Sequence, residues 1–146
     1  MQNKLREKFN KLASIKMLST CFYSSFVFLT NCVTAIWTND PIYFGMFFTL
    51  FITSLIVHSN YNIWTNILDK IPIMGVVSYG AYRLSKKFHQ TGSSFIPLTF
   101  IAVIFLYCYG YMTSSYCYDP DSEVASLYHS LLHGISSVGH HLIMLL

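Results

Sequence analysis

Charge is what this sequence has least of. Asp, Glu, Lys and Arg make up 10% of its 146 residues, against roughly 25% in soluble domains. With 53% of the residues apolar, the chain reads as a multi-pass membrane protein and not as a water-soluble domain. Other signals are missing too. The four cysteines, Cys21, Cys32, Cys108 and Cys117, show no CxxC spacing and mostly fall in apolar stretches, so they read as buried small hydrophobes. No internal repeat and no soluble domain is evident. Basic residues are confined largely to two clusters, Lys4, Arg6, Lys8, Lys11 and Lys16 at the start and Arg83, Lys86 and Lys87 in mid-chain. Clusters that flank apolar spans mark phospholipid head groups, not nucleic acid.

The chain that is there divides into an all-α, polytopic transmembrane bundle of about five spans behind a short amphipathic segment. In residues 1–16, Leu5, Phe9, Leu12 and Ile15 recur at helical spacing opposite the lysines, which predicts a helix lying on the membrane surface. Residues 17–146 form a single helical domain with spans expected at about 17–37, 42–58, 63–82, 94–115 and 124–146. Thr38-Asn39-Asp40-Pro41, Ser59-Asn60-Tyr61-Asn62 and the acidic Asp119-Pro120-Asp121 supply turns between them. Pro72, inside the third span, predicts a kink. Trp37 and Trp64, near span ends, read as interface anchors.

Within these apolar segments the ionisable residues form a pattern. Ser54 and His58 lie four apart in the second span, Asp69 lies in the third, and His129 and His133 lie four apart in the fifth. A spacing of four puts two side chains on one helix face, one turn apart. Crossing parity then brings all five to similar depth near one membrane face. Intramembrane ionisable groups are costly and mark sites by default. Three imidazoles with a free fourth position are the ligand set of catalytic zinc, which lowers the pKa of its water to near 7. Asp69 is placed to act as general base and then as general acid, and Ser54 to stabilise an oxyanion or orient the water. Other readings of single residues stay open: Asp69 as a structural carboxylate paired with Lys70, and Ser54 as a packing serine. His140 lies seven residues beyond His133 on nearly the same face, as a proton relay or a packing residue.

The stretch Ser54-Leu-Ile-Val-His58, then Leu68-Asp69-Lys70-Ile71-Pro72-Ile73, and finally His129-Ser-Leu-Leu-His133 resembles the alkaline ceramidases. It also resembles their relatives in the CREST superfamily of membrane hydrolases, which includes the adiponectin and progestin receptors. The resemblance implies Zn2+ held by His58, His129 and His133, and hydrolysis of the amide bond of ceramide or a related membrane lipid. It further implies a place in sphingolipid metabolism and in an endomembrane such as the ER or Golgi. The chain departs from that family in three ways. It has room for about five spans where seven are typical. Its N-terminal segment is basic where the ceramidases carry an acidic calcium-binding one. Lys70 stands where an acidic residue commonly follows the aspartate. An open pocket left by two absent helices makes self-association an expected remedy. Two other functions fit some of the same residues: a bis-histidine haem carrier, with His58 paired to His133 or His140, and a catalytically silent lipid-binding relative.

Overall fold

The computed structural model describes residues 20–60, 62–89 and 95–146; the surface helix expected over residues 1–16 lies outside them. The described residues form a bundle of five helices and no strand. These are α1 (Thr20–Trp37), α2 (Pro41–Ser59), α3 (Ile63–Lys87), α4 (Ile96–Thr113) and α5 (Ser122–Leu145). Each falls within a few residues of an expected span. α1, α2 and α4 are long and apolar enough to cross a membrane. α3 and α5 have the length, but Asp69, Lys70, Arg83, Lys86 and Lys87 on one and four histidines on the other make them more polar.

The turns are built as their sequences dictate. Asp40 caps α2 by accepting the Tyr43 amide at 3.1 Å, with Pro41 at the first helical position. Asn62 and Thr65 form a reciprocal capping box at the start of α3. Asp121 caps α5 by accepting the Glu123 amide at 2.8 Å. α3 runs helically through Pro72, whose missing N–H leaves the Leu68 carbonyl without its helical donor. α4 passes through a π-helical stretch, Phe105–Tyr109, of the kind often found beside functional sites.

Around the bundle the helices follow the order α3, α2, α1, α5, α4, each packed on the next, with α3 and α4 barely touching. α1 and α5 run parallel and are joined by a ladder of polar contacts. These are Cys21 Sγ to Ser126 Oγ at 3.3 Å, Ser24 Oγ to His133 Nδ1 at 2.9 Å, and Asn31 to Ser137 at 2.6 and 3.0 Å. At the far end both ring nitrogens of His141 are held, by Thr30 and Thr34, at 2.9 Å each. Hydrogen bonds of this kind join helices where no water competes, and they explain how so polar a helix as α5 sits in the bundle.

A second polar cluster ties the opposite end. Asp40 is ion-paired to Arg83 and accepts the Tyr79 hydroxyl at 3.2 Å, while the Tyr43 hydroxyl meets His140 Nδ1 at 3.2 Å. His140 is buried among the rings of Tyr43, Phe47 and Phe100. The apolar core of Phe28, Tyr43, Phe47, Leu50, Val76 and Ile143 fills the space between. The outside is as apolar as the inside. α4 presents Leu98, Ile101, Ile104, Phe105, Tyr109 and Met112 outward, and Trp37 and Trp64 stand exposed at opposite ends of the bundle.

Candidate metal centre

The structure brings His58, from the last turn of α2, against His129 and His133, from the first three turns of α5. The three rings lie with centroids 5.0 to 5.4 Å apart, and one ligand nitrogen from each falls within 4.8 Å of the others. The four-residue spacing sets His129 above His133 on one helix face. The antiparallel turn between α2 and α3, and the parallel run of α1, α3 and α5, set the depth. Asp69, two turns into α3, is buried and accepts the Thr53 hydroxyl at 3.0 Å. No ion pair forms between Asp69 and Lys70; among the described residues the ion pair is Arg83 with Asp40. Asp69 is therefore anchored by a neutral donor from α2, not held as half of a salt bridge.

His133 is contacted from α1 through its Nδ1. α1 tightens into three-residue bonds around Ser25 and Phe26, and here both Ser24 and Ser25 donate their hydroxyl protons to the Cys21 carbonyl, at 2.9 and 3.0 Å. Serines that bond back to their own helix bend it in this way. A Ser24 proton held on the Cys21 carbonyl would assign the hydrogen of the 2.9 Å contact to Nδ1 of His133. That tautomer leaves Nε2 as the lone pair. A donor from the second ring nitrogen to a fixed acceptor is the arrangement that orients metal-ligating histidines.

Ser54 is held in turn by α1. Ser25 Oγ, which also bonds the Cys21 carbonyl, lies 2.8 Å from Ser54 Oγ, and either hydroxyl can be the donor between them.

Beside the histidines lies a cavity of about 440 Å³ with walls from all five helices, within the range of small-molecule sites. Phe28 comes from α1, Leu50 and Ser54 from α2, Asp69, Lys70 and Met74 from α3, Tyr107 from α4, and His129 and His133 from α5. His58 reaches the cluster without lining the cavity. Ser54, Asp69, His129 and His133 thus share one chamber, in a wall otherwise almost wholly apolar.

Three residues outside the expected set belong to the site: Ser24, Ser25 and Thr53. Their only sequence signal is position, a Ser-Ser pair early in the first span and a threonine next to Ser54. Cys117, in the turn between α4 and α5, takes no part; burial pushes its thiol up to about 11, which keeps it protonated at neutral pH. His89 is exposed in the loop after α3. Compared with protein-family models, with curated proteins and with solved structures, the chain matches none, so the chemistry of this cluster is what speaks for its function.

Proposed function

We propose that this chain is a membrane-embedded, zinc-dependent lipid amidohydrolase of the kind its resemblance to the alkaline ceramidases implies, with all five helices crossing the bilayer. The observation that carries the reading is the convergence of His58, His129 and His133 beside Asp69 and Ser54 at one end of an apolar cavity. Histidines scattered for packing would have no reason to meet as three, with a carboxylate in the same cavity wall.

His58, His129 and His133 would hold Zn2+ through one nitrogen each. When bound, the metal supplies Lewis acidity and lowers the pKa of water to near 7. The residues of the chain do the rest. Ser24 keeps the proton of His133 on Nδ1. Ser54 accepts a hydrogen bond from the attacking water and fixes its direction. Asp69, steadied by Thr53, takes a proton from that water as its oxygen bonds to the amide carbon, and passes the proton to the amine nitrogen as the C–N bond breaks. A fatty acid and a free amine leave. The apolar wall holds the acyl chain and keeps bulk water away.

A porphyrin fits this cluster poorly. Between His58 and His133 it would have to displace His129, whose ring stands 5.1 and 5.0 Å from theirs.

The test is metal analysis of the detergent-purified protein alongside fatty-acid release from ceramides. His129→Ala is expected to lose zinc. Asp69→Asn is expected to keep zinc and lose release by ~10²- to 10⁴-fold, the usual range for a general acid–base group. Full zinc in His129→Ala would remove that residue from the site. A Soret band without zinc would replace the hydrolase by a haem protein, and zinc without turnover would leave a lipid-binding relative.

A further inference from the structure

The cavity occupies the gap between α3 and α4, the one place where neighbouring helices in the bundle barely meet. Facing each other across it are Lys70 of α3 and Tyr107 of α4, both in the cavity wall, with the Lys70 ammonium 5.4 Å from the centre of the tyrosine ring. Tyr107 sits in the π-helical stretch of α4, where the changed register re-aims side chains relative to a regular helix.

Lys70 is out of place for a structural residue. It is half-buried, it has no carboxylate within ion-pairing distance among the described residues, and it leans on an aromatic face. A lysine needed only for solubility would snorkel to the interface. Asp69, the one carboxylate in the cavity wall, is engaged with Thr53. With a dication on the histidines, the chamber holds a dication and an ammonium against a single carboxylate, in apolar surroundings where uncompensated charge is expensive. The missing charge is negative, and the one vacancy for it is the cavity beside Lys70.

We infer that the cavity takes an amide-linked lipid whose amine portion carries an acidic group, paired with Lys70, and that this ligand arrives sideways from the bilayer through the gap between α3 and α4. The substrate is then an anionic N-acyl lipid, not a neutral ceramide. The ring of Tyr107 holds the ammonium in place while the chamber is empty, and the acidic group displaces that contact when ligand binds. The amide lies between the acidic head and the acyl chain, so a head at Lys70 sets the amide toward Asp69 and the histidines. This inference deepens the hydrolase reading and rests on it for the charge of the metal, but the pairing with Lys70 is a binding property that hydrolysis is not needed to see.

Equilibrium binding to the detergent-purified full chain tests it, with N-palmitoylglycine as the anionic probe and palmitoylethanolamide as its neutral counterpart. The wild type is expected to bind the anionic probe at least tenfold more tightly. Lys70→Gln is expected to abolish that preference while leaving the affinity for the neutral probe within twofold, and Lys70→Arg is expected to keep most of it. Equal binding of the two probes by the wild type overturns the inference even if no Lys70 variant folds. So does a preference that survives Lys70→Gln. A Lys70-dependent preference in a protein that holds no zinc upholds the anion site while removing the hydrolase reading, so the two fail separately.

Discussion

Ser24 and Ser25 stand side by side in α1 and each gives its proton to the same carbonyl, that of Cys21. Both reach on into the site, Ser24 to Nδ1 of His133 and Ser25 to Ser54. Ser24→Ala removes the partner of His133 without touching a ligand nitrogen. Zinc affinity, measured by competition with a chelator, is expected to fall about 10- to 100-fold, the usual cost of losing such an outer partner. Unchanged affinity would mean that His133 is oriented by packing alone, chiefly against Phe28 at 5.0 Å. The three histidines and Asp69 were legible in the sequence because a spacing of four marks a helix face and the parity of crossings marks depth. Ser24, Ser25 and Thr53 were not. Hydroxyls are common in membrane helices and bond to their own backbone, as all three do, so their other partners depend on helix rotation, which no local pattern encodes. The same applies to Lys70, whose head goes to α4 and not to Asp69 next to it.

At the scale of elements, α5 is held from two sides by different means. Toward α1 it offers a ladder of hydrogen bonds, and toward α3 and α4 chiefly closeness, with one hydrogen bond from Lys87 Nζ to the Ile143 carbonyl at 3.1 Å. Gly80 of α3 leaves room for the ring of His140; a Cβ there would stand 2.5 Å from Cε1 and 3.1 Å from the Tyr43 hydroxyl. Gly139 of α5 lies against Thr99 of α4, whose Oγ1 would be 2.3 Å from an added Cβ. Gly45 of α2 has nothing within 4 Å. Alanine at Gly80 or Gly139 is expected to destabilise by about 1 to 3 kcal/mol through overpacking. Alanine at Gly45 is expected to be neutral or to stabilise by up to ~1 kcal/mol from helix propensity. Thermal unfolding in detergent separates the two outcomes. Here the sequence was informative in a coarser way. The helices lie close to where apolar runs and caps placed them, whereas the polarity of α3 and α5 makes sense only once Asp40, Ser24, Asn31, Thr30 and Thr34 are seen opposite them.

For the whole molecule, the proposed crossing of all five helices divides the turns between two faces. The turns at Asn60 and at Asp121 belong with the candidate metal centre, while the turn at Asn39 and the loop after Phe88 belong with the Asp40–Arg83 cluster. Single cysteines at Asn60 and Asp121, in a chain without native cysteines, are expected to react with a membrane-impermeant maleimide from one side of sealed vesicles, and cysteines at Asn39 and His89 from the other. Labelling of Asn60 and His89 from the same side would show that α3 does not cross. The gap between α3 and α4 is a property of this scale alone. It arises from the circular order of the helices.

The parallel ladder between α1 and α5 joins residues 105 to 111 apart in sequence. Chains are made from the N-terminus at about 5 to 20 residues per second, so for several seconds α1 resides in the bilayer with Ser24, Asn31 and Thr34 still waiting for partners that do not yet exist. The candidate site is the last thing to be assembled, and a ribosome that stops short of α5 leaves behind a helix with bare polar groups facing lipid. Quality control that recognises unpaired polarity in the membrane therefore has, in α1, a marker of unfinished copies, one that disappears only when His133, Ser137 and His141 arrive.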